Sequence, residues 1–191
     1  MKKVSVIILN WNGEQLLKQF LPSVVKYTPD DIADVVVADN GSTDKSLVLL
    51  KTQFPTVHII ELEKNFGFAD GYNQAIAAVK TPYVVLLNSD VEVTPNWLYP
   101  LVEEVEQHVD VVAVQPKIRS WKEKSSFEYA GACGGYMDRY GYPFCRGRLL
   151  HILETDNGQY DTPTDVLWTS GACMLVLRDV FVKVGGLDAT F

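Results

Sequence analysis

The sequence predicts an α/β fold with three layers, in which helices cover both faces of a mostly parallel central sheet. First, apolar strand-like runs alternate with segments of helical periodicity along the first 118 residues. Second, the strand-like runs are continuously apolar, which is typical of strands buried on both faces. Third, several runs end in short polar segments, where the ligand sites of such sheets lie. The 191 residues suffice for one domain with a substantial core.

The chain opens with a β-branched apolar run at residues 4–9, which predicts the first strand. Residues 16–27 carry apolar side chains at spacings of three and four, which predicts an amphipathic helix. Pro22 lies inside this helix, so we expect the helix to begin late or to kink there. A second strand is predicted over residues 34–38.

Polar residues after the second strand predict the start of the next helix. Ser42 or Thr43 is expected to cap a helix that continues to about Phe54. Residues 57–62 predict a third strand, and the alanine-rich segment 68–79 predicts the helix that follows it.

The fourth strand is predicted at residues 83–87, and Pro95 suits the first turn of the helix after it. Residues 110–114 predict a fifth strand. The alternation then stops, because residues 119–165 are rich in Gly, Tyr, Arg and Asp and predict a loop-rich insertion with short antiparallel strands. The remaining elements are an apolar run and one short helix, at residues 166–177 and 178–184.

Composition excludes several classes of protein. The formal net charge is −7, whereas a general nucleic-acid binder needs a basic face, so no nucleic-acid partner is expected. No apolar stretch is long enough to span a membrane, and the apolar run after Lys2 and Lys3 is too short for a signal peptide. Three widely spaced cysteines form no C-x-x-C pattern, which predicts reduced thiols and a cytoplasmic location.

The fourth strand runs directly into Asn88-Ser89-Asp90. An aspartate at the carboxyl end of a buried strand can hold a divalent cation against a phosphate. The same residue types also favour turns and helix caps. The residues alone therefore leave a metal site and a simple turn open at this position.

The first strand is followed by Asn10-Trp11-Asn12-Gly13. A dinucleotide-binding fold would carry G-x-G-x-x-G here, and a P-loop would carry G-x-x-x-x-G-K-[ST]; neither pattern is present. These side chains are therefore predicted to line a pocket for a base, unless Trp11 serves only packing and Asn10 only a turn.

Two further polar segments follow the second and third strands. Asp39 ends the second strand, where its carboxylate can accept hydrogen bonds from a pyrimidine N–H or a ribose hydroxyl, while Asp44 is expected to be structural. Residues 65–73 combine a glycine-bearing loop with a helix start, which suits an anion. Gly67 and Gly71 suit close packing of the helix on the sheet equally well.

Taken together, five segments resemble family 2 glycosyltransferases. They cover nearly the whole chain in order and spacing, and they are SVIILNWNG, VVVADNGSTD, NFGFADGYN, LLNSD and SGACMLVLRDVFVKVGGLD, at residues 5–13, 35–44, 65–73, 86–90 and 170–188. The W-N-G of the first loop and the L-N-x-D at the fourth strand look closest to the rhamnosyltransferase-like branch. The resemblance implies a GT-A fold, which is a Rossmann-like three-layer α/β/α architecture.

The resemblance further implies inverting transfer of a sugar from a nucleotide-diphosphate-sugar donor to a glycan or lipid-linked acceptor, in bacterial cell-surface polysaccharide synthesis. Asp90 would bind Mg²⁺ or Mn²⁺, and Gly171 and Ala172 would lie on the sugar and acceptor side. Asn88 stands where a second aspartate is common, so metal affinity is expected to be low without donor. The implied nucleotide-binding residues are Asn10, Trp11, Asn12, Asp39, Asn65, Gly67, Asn73, Asn88 and Ser89.

An inverting transfer needs a general base, which in this family is an acidic residue shortly after a segment like residues 185–188. We expect the base beyond Phe191 and expect Asp188 to be the family's loop aspartate. Residues 1–191 are then a single, C-terminally incomplete domain, inactive in transfer, with a nucleotide-binding part at 1–118 and an acceptor-side part at 119–191. The full-length protein is expected to be cytoplasmic, with peripheral contact at the inner face of the membrane.

Two other functions can be compared with the residues at the strand ends. A sugar-phosphate nucleotidyltransferase would need a glycine-rich basic segment after the first strand, and residues 10–15 contain no Lys or Arg. A non-catalytic nucleotide-sugar-binding domain that lacks the base stays open. The aromatic and arginine side chains of the insertion would either meet a carbohydrate or lipid-linked phosphate or pack the loop on the sheet.

Overall fold

A computed structural model describes residues 2–190 of the chain. Strands and helices alternate through its first half. In chain order they are β1 Val4–Asn10, α1 Glu14–Tyr27, β2 Ala33–Asp39, α2 Ser46–Gln53, β3 His58–Glu61, α3 Gly67–Ala78, β4 Tyr83–Leu87, α4 Tyr99–Gln107 and β5 Ala113–Val114. The later elements are β6 Gly135–Met137, β7 Pro143–Cys145, β8 Arg148–Leu149, β9 Ile152–Leu153, β10 Cys173–Leu177 and α5 Arg178–Lys183.

The central sheet has six strands in the order β3-β2-β1-β4-β10-β5. The four strands β3, β2, β1 and β4 run parallel to one another, and β10 is antiparallel to both β4 and β5. Because the parallel strands end at one edge, Asn10, which is paired with Asp39, lies beside the segment after β4. The predicted α/β fold with a mostly parallel sheet is confirmed.

Helices cover both faces of this sheet, because alternate residues of each strand point to opposite sides. On one face, Val6 and Ile8 of β1 pack with buried side chains of α1, α2 and α4, among them Leu17. On the other face, Ile7 packs with Tyr72 and other buried side chains of α3 and α5. The result is the expected three-layer α/β/α arrangement.

The first helix corrects one expectation. Helix α1 begins at Glu14, earlier than predicted, and continues without interruption through Pro22. Proline removes one helical hydrogen bond and crowds the preceding turn. Leu17, Leu21 and Val24 are buried against the sheet on both sides of the proline, and this packing holds the helix together.

Three further boundaries differ from the sequence-based expectation. Helix α4 begins at Tyr99, with Pro100 in its first turn, and not at Pro95. Strand β5 contains only two residues. In the apolar run 166–177, only β10 is a strand, and it returns to the central sheet beside β4. The predicted acceptor-side part 119–191 therefore contributes to two structural regions. It forms the insertion, and its elements β10 and α5 complete the central sheet and one of the helical layers.

The insertion forms a second, antiparallel sheet in the order β6-β7-β8-β9, as predicted in outline. A small core of its own lies beneath, built on the fully buried Phe127 together with Cys133 and Cys145. All three cysteines are free and buried, and burial raises the pKa of Cys173 to about 12. Within residues 2–190, no helix combines the length and apolar character needed to cross a membrane.

Candidate functional site

A cleft of about 390 Å³ lies at the carboxyl ends of β1 and β4, where ligands bind in open α/β sheets. Its volume falls within the range of small-molecule pockets. Its walls come from the loop after β1, the loop after β2, the start of α3 and the segment after β4. The lining residues are Leu9, Trp11, Leu16, Asn40, Asn65, Gly67, Phe68, Tyr72, Asn88, Ser89 and Asp90.

A second concavity, of about 470 Å³, lies at the opposite, amino-terminal ends of the strands. Its one carboxylate is already engaged, since Asp34 Oδ1 lies 2.9 Å from Lys2 Nζ and 3.2 Å from His58 Nε2. Larger volume therefore does not make it the better site, because the position and free polar groups of the first cleft fit a ligand more closely.

A buried hydrogen-bond network behind the cleft joins the ends of β1 and β2. Asn10 Nδ2 donates to Asp39 Oδ1 at 2.9 Å and to Ser42 Oγ at 3.1 Å. The other carboxylate oxygen of Asp39 accepts from the backbone N–H of Ser42 at 3.0 Å. Asp39 is 2% exposed, and Asn10 Oδ1 is buried with no partner within the described residues. This network fixes the two loops in register.

Asn12 ties the same two loops from the solvent side. Its φ of +50 lies in the left-handed region that asparagine tolerates better than most residues. Its Oδ1 accepts from the backbone N–H groups of Thr43 and Asp44, and its own N–H donates to Ser42 Oγ at 2.9 Å. The side chain of Asn12 therefore shapes the loop that carries Trp11.

Asn40 lines the cleft but is not among the site residues that the sequence predicts. It is 2% exposed, and its Nδ2 donates to Asn65 Oδ1 and to the carbonyl of Gly67, both at 3.0 Å. Its Oδ1 accepts from the N–H of Phe66 at 2.9 Å. One side chain at the end of β2 thus holds the loop that begins α3. Its position directly after Asp39, at a strand end, was the available signal.

The segment after β4 places three oxygen-bearing side chains at the cleft, namely Asn88, Ser89 and Asp90. The Asn88 N–H donates to the carbonyl of Ala172 at 3.0 Å. Asp90 is exposed, and its carboxylate faces an open cleft. Hard oxygen donors of this kind suit Mg²⁺ or Mn²⁺. Within residues 2–190 no group of three His, Cys, Asp or Glu side chains could hold a metal, so a cation here needs ligands from elsewhere.

The predicted sugar-side residues are brought to the same edge. Ala172 contacts Asn88 through the backbone bond above, and a Cβ added at Gly171 would lie 3.4 Å from Phe68 Cζ. Phe68 lines the cleft, is half exposed and packs edge-on against Tyr72. Gly171 and Ala172 therefore border the cleft on the side of β10.

Asn73 is not brought to the cleft. Its Nδ2 donates to the carbonyl of Leu187 at 2.8 Å, and its Oδ1 accepts from the Leu187 N–H at 2.9 Å. A Cβ added at Gly186 would lie 2.4 Å from Asn73 Oδ1, so only glycine fits beside this clamp. The structure thus uses Asn73 to hold the turn after α5 against α3.

The site predictions therefore separate into groups. The cleft brings together Trp11, Asn65, Gly67, Asn88, Ser89 and Asp90. Asn10, Asn12 and Asp39 lie behind it in the network that orders its loops, and the nucleotide contact predicted for Asp39 stays a prediction. The lining residues that the sequence did not suggest are Leu9, Leu16, Asn40, Phe68 and Tyr72.

Asp44 accepts hydrogen bonds from the first residues of two helices, which agrees with its expected structural role. Its Oδ1 accepts from the N–H of Ser46, the first residue of α2, and its Oδ2 accepts from the N–H of Glu14, the first residue of α1, both at 2.9 Å. The expectation that Ser42 or Thr43 caps α2 was wrong, because these residues bind Asn12 and Asp39 instead. Burial raises the pKa of Asp44, but the hydrogen bonds from Ser46 and Glu14 outweigh it, and the pKa is lowered overall.

Replacing Asp44 by alanine is expected to lower the free energy of unfolding at pH 7 by about 1–2 kcal/mol, as loss of a helix cap does. Because the folded-state pKa is below the ordinary value, the contribution is full above about pH 4 and disappears as pH falls through the folded-state pKa. Urea denaturation at several pH values measures this. The matched control is Asp110→Ala at an exposed loop position, which should change stability little; equal effects of the two would contradict the capping role.

Comparison with known proteins bears on what the cleft binds. The sequence model described as Glycosyl transferase family 2 matches residues 5–185. The O-antigen biosynthesis protein RfbC of Myxococcus xanthus is 28% identical over 192 residues, which cover 99% of this chain and 15% of that protein. The N-acetylglucosaminyl-diphospho-decaprenol L-rhamnosyltransferase of Mycobacterium tuberculosis is 24% identical over 200 residues, covering 97% of this chain and 65% of that enzyme.

Among solved structures, the mannosyltransferase PcManGT from Pyrobaculum calidifontis, in complex with GDP-Man and Mn²⁺, superimposes with a TM-score of 0.67. It is 17% identical, and the match covers 98% of this chain and 48% of that protein. At this identity the likeness shows the fold. The chain spans less than two thirds of the length of each of these three proteins.

Proposed function

The chain belongs to glycosyl transferase family 2 and has the GT-A fold, and we propose from this premise that its cleft binds a nucleotide-diphosphate-sugar donor. The observation that carries the proposal is the meeting of Asp90 with Trp11 and Gly67 in one cleft. These residues come from three separate segments of the chain. They supply an aromatic surface, a helix start and a carboxylate, which are the groups that a base, a diphosphate and a cation require.

The nucleoside end of the donor would occupy the part of the cleft between the loop after β1 and the start of α3. Trp11 and Phe68 are both more than half exposed there, which leaves aromatic faces free for stacking on a base. Asn10, Asn12 and Asp39 order the loop that carries Trp11. The diphosphate would then lie near the start of α3, where the helix dipole favours an anion although the Gly67 N–H itself donates to Asn65 Oδ1.

Mg²⁺ or Mn²⁺ would be held by Asp90, with oxygens of Asn88 or Ser89 and with donor phosphates and water completing the coordination. When bound, the cation offsets the negative charge of the departing nucleoside diphosphate. The single carboxylate is sufficient because Mg²⁺ commonly uses one or two protein carboxylates and retains waters. The Mn²⁺ in the PcManGT complex supports the use of a divalent cation.

The acceptor is proposed to be a glycan or a lipid-linked sugar in bacterial cell-surface polysaccharide synthesis, with inversion at the transferred sugar. The names of the two relatives, an O-antigen biosynthesis protein and a rhamnosyltransferase acting on a diphospho-decaprenol, support it. The transferred hexose or rhamnose would lie beside Gly171 and Ala172, between the diphosphate of the donor and the acceptor. We further propose that the protein works in the cytoplasm, at the inner face of the membrane.

Asp188 is a poor candidate for the general base of this transfer. Its Oδ1 accepts from the backbone N–H of Thr190 at 2.9 Å and from the Thr190 hydroxyl at 2.7 Å. The side-chain hydrogen bond from Thr190 lowers the pKa of Asp188, which makes the carboxylate a weaker base. We therefore do not propose Asp188 as the base.

Titration calorimetry of residues 1–191 with UDP, dTDP and GDP, each with and without Mn²⁺, tests donor binding. We expect heat with at least one nucleotide and tighter binding when Mn²⁺ is present. No heat with any of the three would contradict the proposal. Transfer is tested separately, by incubating the same chain with intact nucleotide sugars and a lipid-linked acceptor; turnover that Asp188→Asn abolishes would contradict only the conclusion drawn for Asp188.

A further inference from the structure

The second sheet ends in an exposed hairpin formed by β8 and β9 and the two-residue turn Leu150-His151, which we term the tip hairpin. Leu149, Leu150 and Ile152 are 60%, 75% and 59% exposed, respectively. The three side chains lie within four consecutive residues on a convex turn. A soluble protein gains nothing in stability from aliphatic side chains in water at such a place.

Leu150 is unfavourable for folding as well as for solubility. Its φ is +55, in the left-handed region where hairpin turns favour glycine or asparagine. A large side chain without a polar group has no local hydrogen bond to offset this conformation. The turn therefore carries leucine at the one position where both backbone geometry and exposure favour a different residue, which points to a contact made outside the chain.

The apolar surface continues across the whole second sheet. Opposite residues of an antiparallel pair share a face, so Tyr136 lies beside Phe144, and Leu149 lies beside Ile152. Phe144 precedes Cys145 and Leu149 follows Arg148, and Cys145 pairs with Arg148. All four side chains therefore form one row on the face opposite the buried Cys145. The rings of Tyr136 and Phe144 stack with centroids 5.7 Å apart.

Arginine side chains lie close to the tip hairpin, since Arg148 is the first residue of β8 and its Nη1 donates to the carbonyl of Leu150 at 3.1 Å. Residues 129–153 contain three arginines and one acidic residue, Asp138, in a chain whose net charge is −7. Arg146 and Arg148 lie over the rings of Tyr160 and Tyr129, at 4.8 and 4.3 Å from the ring centroids. Exposed aliphatic side chains flanked by arginine and tyrosine are the composition of surfaces that rest in the interface of a membrane.

We propose that the tip hairpin inserts Leu149, Leu150 and Ile152 into the interfacial region of a lipid bilayer that contains anionic lipid. A two-residue turn offers only a narrow contact surface to a peptide or a second copy, and aliphatic side chains lack the flat rings on which sugars stack. Anionic headgroups match Arg148 beside the tip and the exposed Arg139 in the turn between β6 and β7. The proposal deepens the membrane location proposed above, but it rests on the second sheet alone and does not require a working donor site.

Flotation of residues 1–191 with vesicles, without nucleotide, tests this surface. The chain is expected to float with vesicles of phosphatidylcholine and phosphatidylglycerol and to bind vesicles of pure phosphatidylcholine less. Leu150→Asn is expected to lower partitioning at least about tenfold, since it removes one buried leucine side chain from the contact. Asparagine suits a positive φ, so Tm should stay equal or rise, which separates loss of binding from loss of fold.

Two further variants complete the test. Val109→Asn changes an apolar residue that is 97% exposed outside the insertion and should leave partitioning unchanged. Arg139→Gln should weaken binding to the anionic vesicles about fivefold and leave binding to pure phosphatidylcholine unaffected. The proposal is overturned if the wild-type chain does not float or if the Leu150→Asn variant floats as well as the wild type. It is also overturned if sedimentation shows that the wild-type chain is a dimer and that Leu150→Asn converts it to a monomer. Donor calorimetry of the same variants reports separately on the cleft.

Discussion

Asp90→Asn is expected to remove the Mn²⁺-dependent part of nucleotide affinity, with a loss of at least about 10–100-fold. Substitutions that only support a metal ligand already cost this much, and Asp90 is proposed to bind the cation directly. Asparagine keeps the shape of the side chain but removes its charge. Because Asp90 is exposed beside the cleft, Tm should not change. Calorimetry with and without Mn²⁺ measures the Mn²⁺-dependent and the Mn²⁺-independent parts of the nucleotide affinity.

The matched control for this substitution is Asp110→Asn, which makes the same change of charge in the exposed loop between α4 and β5. It should leave nucleotide affinity at the wild-type value with and without Mn²⁺. If Asp90→Asn binds nucleotide and Mn²⁺ as the wild-type chain does, the cation is not held at the end of β4.

Asn40→Ala is expected to lower the free energy of unfolding by about 1–3 kcal/mol and to weaken nucleotide binding at least tenfold. The substitution removes a buried side chain and leaves the Phe66 N–H, at a half-buried residue, and the Gly67 carbonyl, at an exposed one, without their partner. Each buried group left unpaired costs about 1–3 kcal/mol. The loop that begins α3 would lose its support, and Asn65 and Gly67 would leave their places in the cleft wall.

Two variants sharpen this prediction. Asn40→Asp keeps the acceptor for Phe66 but sets a carboxylate oxygen against Asn65 Oδ1 and the Gly67 carbonyl, so it should be nearly as harmful. Asn96→Gly removes an exposed asparagine at a φ of +63, which glycine also adopts, and should change stability by less than about 0.5 kcal/mol. Urea denaturation gives these values, and a stable Asn40→Ala variant with wild-type affinity would refute the role of Asn40.

The sequence could predict the central strands well because their environment dictates their composition. β1 and β4 are buried on both faces, and only continuous apolar runs satisfy that position. The start of α4 was mistaken because Pro95 and Pro100 both suit a first helical turn. Which of them is used depends on where Leu98, Leu101 and Val105 reach the core, and a local pattern does not show that.

Those parts of the site that lie directly at the ends of strands could be predicted from the sequence. Parallel strands end at one edge, so the segments after β1 and β4 had to meet. Contacts between segments distant in sequence could not be predicted in the same way. The clamp of Asn73 on Leu187 joins residues 114 apart, and the bonds of Asn40 cross from β2 to a loop 25 to 27 residues later. Their partners become neighbours only through the packing of α3 and α5 on the sheet.

The location of the donor site is tested most directly by paramagnetic broadening of backbone amide signals when Mn²⁺ is added to the chain with UDP, dTDP or GDP. The signals of Asn65, Gly67, Phe68 and residues 88–90, which line the cleft, should disappear first. The signals of Ile59, Lys80 and Thr81, which line the concavity at the opposite ends of the strands, should persist. If the signals of Ile59, Lys80 and Thr81 disappeared and those of the cleft residues persisted, a nucleotide and metal site at the carboxyl ends of β1 and β4 would be contradicted.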